Sequence, residues 1–268
     1  MEVIKCINCG ETVENNFCSH CGQRTNVKRI TFREGWNDFW ARIYGFDGMF
    51  PRTLRDLTLR PGKVAELFIE GNRARYYGPV GYFFLMVTLF LLVMSVLDIP
   101  LFEYTKSLTQ SMSIPTVKEN SEAEKFMKIW SNLINDNMKT FSFMVIPFFA
   151  LLSKWLFGKS GLNYLEHSVM PFYIQGHVYW VSIVSLFIFK FTGSAFLMSL
   201  ENPLTLVLFG IGAIQLFNYQ KPYKAFIRGT LVFILGFIMY ITALIAFVTI
   251  FVILNPTYLE MIRPSNNK

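Results

Sequence analysis

The sequence predicts an all-α integral membrane protein with about five transmembrane helices, a small N-terminal cysteine head and interfacial amphipathic helices. Three observations predict it. Of 268 residues, 53% are hydrophobic and only 16% are charged, against about 25% charged in an ordinary soluble domain. The apolar residues gather in long runs, and a bilayer core about 30 Å thick needs roughly 20 apolar helical residues to cross it. All four cysteines lie between Cys6 and Cys21. The net charge of +7 suits either nucleic acid or anionic lipid, and its placement along the chain has to decide between them.

Three stretches follow in order: a cysteine-rich head over 1–24, a polar, basic and aromatic segment over 25–78, and a transmembrane domain over 79–268. No apolar run precedes Pro79, so no signal peptide is expected. The first span is Pro79–Leu97, uncharged and about 28 Å long as a helix. A polar loop runs from Asp98 to Lys139. In its latter part Phe126, Trp130, Leu133, Ile134 and Met138 stand at helical spacing and predict an amphipathic helix lying on the surface. Thr140–Phe157 is the second span, its Pro147 tolerable where neighbouring helices re-satisfy the freed carbonyl. The third runs over 168–191, with Lys190 placed to snorkel to the interface. The fourth, about 203–219, is the weakest, being short and interrupted by Gly210, Gly212 and Gln215. The fifth, 229–254, is long enough to cross with tilt. Loss of the fourth would leave four.

Cytoplasmic loops carry an excess of Lys and Arg. With the N-terminus inside, 17 of the 25 Lys and Arg residues fall on the cytoplasmic side. The bias survives when the long N-terminal segment is counted only over its last 20 residues, where Arg60, Lys63, Arg73 and Arg75 remain. The expectation is a multi-pass protein of the cytoplasmic membrane, N-terminus inside and C-terminus outside.

The head reads Cys6-x2-Cys9-Gly10 and, eight residues later, Cys18-x2-Cys21-Gly22. Each half is a knuckle: two thiolates converge on one metal, and the glycine permits the tight turn. Two knuckles make a closed four-sulfur site without an open position, which is structural rather than catalytic, and one Zn2+ is the expected ion. Binding free energy would supply the folding energy that so short a segment lacks. Two disulfides would need an oxidising compartment, against the cytoplasmic placement. His20 is expected at the surface rather than as a fifth ligand. The zinc-ribbon carries only Lys5 and Arg24 and no aromatic platform beyond Phe17, so no nucleic acid is expected and docking to a protein is favoured.

After the head, Phe32, Trp36, Phe39, Trp40 and Ile43 form one apolar helical face, either interfacial or packed on the spans. Next, Pro61 fits the first turn of a helix, Val64, Leu67 and Phe68 give it an apolar stripe, and Gly71 ends it. Arg60, Lys63, Arg73 and Arg75 are candidate headgroup or anion contacts, first as anchors on anionic lipid.

The paired knuckles, then Asp56-Leu57-x-x-Arg60-Pro61-Gly62-Lys63, then Gly71-Asn72-Arg73 leading into a span, resemble the bacterial zinc-ribbon membrane family called domain of unknown function 3667. Tyr164-Leu165-Glu166-His167 resembles it too. The resemblance implies an architecture and no activity. The cytosolic N-terminal region, Leu59-Arg60-Pro61 and five spans also resemble the layout of Yip1-like proteins.

Ionisable groups at membrane depth are functional candidates by default. Glu166, His167 and His177 form a candidate intramembrane polar site, with Gln175 and Gln215 as polar neighbours. On a continuous helix Glu166, Tyr173 and His177 share a face, though Pro171 and Gly176 could break it. The bland alternative is a boundary pair anchoring the helix and one histidine bonded across the bundle. No phosphate-binding loop, nucleophile elbow or His-Glu-x-x-His motif occurs, and no catalytic residue is expected. Two functions follow. The favoured one is a non-enzymatic adaptor or assembly protein that docks a protein partner or a second copy of itself. The alternative is a small transporter or lipid-handling protein working through Glu166, His167 and His177.

Overall fold

The computed structural model describes residues 4–14, 16–21, 48–73, 75–111, 130–132 and 134–254. The chain divides into two compact units, Met1–Asp47 and Gly48–Lys268. In the first, β1 (Ile4–Lys5) pairs antiparallel with β2 (Thr12–Val13), Ile4 opposite Val13. The connection is a knuckle: the Gly10 amide donates to the Cys6 carbonyl at 2.9 Å, and Gly10 takes φ +77°. A side chain there would be strained, which explains the glycine after the cysteine.

The second unit is helical: α1 (Met49–Leu59), α2 (Pro61–Ile69), α3 (Pro79–Val96), α4 (Leu101–Ser111), α5 (Met138–Leu156), α6 (Tyr164–Thr192), α7 (Phe196–Ser199), α8 (Glu201–Leu216) and α9 (Pro222–Leu254). Among the described residues five stretches are long and apolar enough to cross a bilayer: Pro79–Val96, Met138–Leu156, Tyr164–Thr192, Phe196–Leu216 and Pro222–Phe247. The protein is an all-α, multi-pass membrane protein. Leu92, Val96, Leu151, Trp155, Phe187 and Phe191 are exposed on its flanks, as lipid-facing side chains are.

Several boundaries differ from expectation. The fourth span begins at Phe196 rather than near Pro203, because α7 leads into α8 and Pro203 falls in the first turn of α8. There a missing N–H leaves no helical bond unmade. The third begins at Tyr164, so Glu166 and His167 lie inside its first turn, and Pro171 leaves α6 continuous. The loop after α3 holds a helix, α4, that its polar sequence conceals. The aromatic face over 32–43 lies outside the described residues, as do Phe126 and Leu133. Trp130 is described and sets its ring edge-on to Phe141 at 6.2 Å.

Helix α6 is about 43 Å long and α3 about 27 Å, and the difference organises the unit. Gly176 sits against the Phe83 backbone, and a Cβ there would stand 3.0 Å from the Phe83 Cα. Farther along, the Lys190 ammonium donates to the Leu97 carbonyl at 2.6 Å. α3 therefore runs along α6 from Phe172, where Phe83 stands edge-on at 5.7 Å, toward its C-terminus. α1 and α2 also pack on α6, with Phe68 edge-on to Tyr173 at 6.2 Å. α2 also packs on α8 so closely that a Cβ at Gly62 would overlap the Gly212 carbonyl. Arg60 breaks the α1–α2 path with φ −150°, as a residue before proline tends to. Gly71, at φ +101°, ends α2.

Candidate functional site: a cysteine cluster and a buried polar network

In the head, the sulfurs of Cys6, Cys9, Cys18 and Cys21 all lie within 4.8 Å of one another. Cys6 and Cys21 sulfurs are 3.5 Å apart, those of Cys9 and Cys18 3.6 Å, and all four are unbridged. One cysteine of each knuckle is buried (Cys6, Cys18) and one exposed (Cys9, Cys21). The donor set is that of a metal site. His20 is exposed and is not among the clustered ligands.

In the second unit the polar groups of α1 and α2 knit the helical pair to the spans. Asp56 is buried at 1% exposure. It accepts from Tyr76 Oη at 2.8 Å, from Arg60 at 2.9 Å and from Arg55 Nε at 3.0 Å. Burial alone would raise its carboxyl, but the Tyr76, Arg60 and Arg55 donors outweigh that and hold it below the usual carboxylate range. Burial and the Asp56 hydrogen bond push the Tyr76 phenol up. Thr53 Oγ1 accepts from the Tyr77 amide at 3.0 Å. Gln215 Oε1 accepts from the Gly62 amide at 2.9 Å, satisfying a donor at the start of α2 that no helical carbonyl can reach.

His177 joins three helices. Thr58 Oγ1 lies 3.1 Å from His177 Nε2 and 3.0 Å from the Leu54 carbonyl, to which it can donate. With the imidazole proton on Nε2, Nδ1 accepts from Tyr82 Oη at 3.1 Å. His167, also buried, lies between Ser153 Oγ (2.9 Å to Nδ1) and Ser160 Oγ (3.2 Å to Nε2), stacked on Phe217. Glu166 forms a capping box: it accepts from the Asn163 amide, and Asn163 accepts from the Glu166 amide at 3.0 Å. The structure thus places Glu166, His167 and His177 in three separate hydrogen-bonded settings and brings none of them together.

The four basic candidates differ among themselves. Arg60 pairs with Asp56 and Lys63 with Glu66, while Arg73 lies over the Phe68 ring and Arg75 over Tyr76. All four stay exposed.

Two residues escaped the sequence reading. Asp56 was legible only as part of a motif, and its role as acceptor for three donors was not. Glu201 stood in what read as a loop before the fourth span, yet it opens α8 with a buried oxygen. The usable signal was a lone carboxylate next to an apolar run.

Residues 47–91 match the model of a family described as a protein of unknown function, DUF3667. The match covers α1, α2 and most of α3, which hold Asp56, Thr58, Gly62 and Tyr82, and the connection that holds Tyr76. No curated protein and no solved structure matches the chain. The matched residues thus span the helical pair, while the cysteine head, His177 and Gln215 lie outside them.

Proposed function

We propose that the chain is a non-enzymatic adaptor or assembly protein of the cytoplasmic membrane, using a structural zinc-ribbon to dock a protein partner. The observation that carries the reading is the four-sulfur cluster. Sulfurs about 2.3 Å from a tetrahedral zinc stand about 3.8 Å apart, and the Cys6–Cys21 and Cys9–Cys18 separations are close to that. One zinc fills the site and leaves no open position for chemistry. Ile7 and Phe17 are 75% and 60% exposed on the head, apolar side chains of the kind a partner covers. In the bundle, the hydrogen bonds of Glu166, His167 and His177 favour an anchoring role for all three.

The N-terminus lies inside and the C-terminus outside. Arg60, Lys63, Arg73 and Arg75 then face the inner headgroups, where each exposed cation is attracted to anionic lipid. Arg60 and Lys63 do so while paired, the Arg60 side chain 45% and that of Lys63 48% exposed. The partner is another protein or a second copy of the chain.

The test is metal content, thiol state and in-cell crosslinking of the full chain and of Cys6→Ser/Cys9→Ser. One zinc per chain, lost in the variant together with the crosslinked partner, is expected. Crosslinks unchanged in the metal-free variant would overturn the docking role. Two disulfides and no metal would overturn both the zinc and the cytoplasmic head.

A further inference from the structure

A cavity of about 290 Å³ lies among α3 to α9, with Glu201 in its wall. Glu201 Oε1 is buried and has no hydrogen-bond partner among the described residues. The carboxylate stands in the first turn of a 16-residue helix, where the helix dipole complements a negative charge. Ser182 is the hydrogen-bond partner of the carboxylate, and a buried carboxylate with one oxygen left over is costly unless a cation or a proton joins it.

The rest of the wall selects between those two. Tyr104 donates its hydroxyl proton to Ser185 Oγ at 2.7 Å, Tyr240 to the Phe141 carbonyl at 3.0 Å, and Thr205 to the Glu201 carbonyl at 2.6 Å. With those protons committed, the three oxygens offer lone pairs to anything in the cavity. Phe90, Phe233 and Phe237 add aromatic rings, whose faces attract cations. Among the described residues no Lys, Arg or His lines the cavity. Its volume is far larger than a bare metal ion requires and is at the lower end of pockets for small organic molecules, about 300–1,000 Å³.

The geometry points to a binding site for a small organic ammonium ion, its charged nitrogen on Glu201 and its apolar body against the rings. This site is independent of the cysteine head and of any docking role. A free amine and the ammonium of an ethanolamine lipid headgroup share the chemistry.

The experiment is calorimetric titration of phenethylammonium into the full-length protein in phosphatidylcholine nanodiscs, with 2-phenylethanol as the neutral control. Saturable binding of one ammonium per chain is expected, with the alcohol and Glu201→Gln each weakening it about tenfold or more, as loss of a charged hydrogen bond implies. Glu201→Asp keeps the charge and should retain binding. If phosphatidylethanolamine nanodiscs weaken phenethylammonium binding, the lipid headgroup competes for the site. If they do not, the free amine is its ligand. Equal binding of the alcohol and the ammonium by the wild-type protein overturns the proposal without any variant. So does unchanged binding by folded Glu201→Gln, or an absence of saturable binding.

Discussion

Two sets of buried polar groups sit in the helical unit, and they are completed differently. Around α1 and α2, Asp56 meets three donors, Gln215 meets the start of α2, and His177 has a partner on each ring nitrogen. Around the cavity Tyr104 donates to Ser185 and Tyr240 to the Phe141 carbonyl, and one oxygen of Glu201 has no protein partner among the described residues. Low-dielectric surroundings strengthen a completed network and penalise an incomplete one. The first set therefore holds helices in place, whereas the second stores a binding opportunity. Stability and ligand affinity should respond in opposite ways when each is altered.

The largest effect is expected at Asp56. Asp56→Ala removes the acceptor for the buried Tyr76 hydroxyl and for two arginines, and should cost about 2–3 kcal/mol. The arginine side chains are 45% and 66% exposed, so solvent screens their share and most of the loss comes from the buried phenol. Denaturant unfolding of the detergent-solubilised protein measures it. A change within about 0.5 kcal/mol, ordinary for a surface substitution, would show that the network does not hold the helical pair.

Acid should reveal the same group. Its folded-state pKa lies below the ordinary value of 3.8, so the unfolded chain binds the proton more readily. The Asp56 contribution is then fully present above the ordinary value and is lost as pH falls through the folded pKa. Unfolding midpoints measured from about pH 6 down to pH 3 should fall at the acid end. Asp56→Asn should flatten that fall, and equal slopes in the two proteins would exclude Asp56 as its source.

How much of this the sequence carries depends on how local the physics is. The apolar runs of α3 and α9, Pro61 at the start of α2 and Gly71 at its end are local signals, and each matches the structure. The cysteine spacing likewise announced a cluster. Asn163-x-x-Glu166 also spells a capping box, and its meaning was hidden by reading Glu166 as a group at membrane depth. α4 could not be read, because its polar sequence is held by Tyr104 against Ser185 and Phe189, contacts about eighty residues away. The Gln215–Gly62 bond joins residues 153 apart, and no periodicity encodes such a pair. The cavity is invisible for the same reason: seven helices must be placed before Glu201 has a wall around it.

A smaller effect is expected at His177. Tyr82→Phe keeps the ring in the core and removes the donor to Nδ1, leaving a buried acceptor unpaired at about 1–2 kcal/mol. Combined with Thr58→Ala, the loss should fall short of the sum of the two single changes, because both bonds end on one imidazole. Strict additivity in a double-mutant cycle would show that the two bonds act independently.

The smallest effect should have the opposite sign. Glu201→Gln removes a charge that lacks a full set of protein partners, keeps the volume of the side chain, and leaves an amide able to bond Ser182 beside it. Stability should stay level or rise by up to about 1 kcal/mol, since removing an uncompensated buried charge relieves its desolvation. The same unfolding assay used for Asp56→Ala reads it. A loss near that of Asp56→Ala would mean that the protein itself completes the carboxylate, and the distinction between the two polar sets would disappear. A gain, in the variant that also loses ammonium binding, is the pattern of a group kept for a ligand at the expense of the fold.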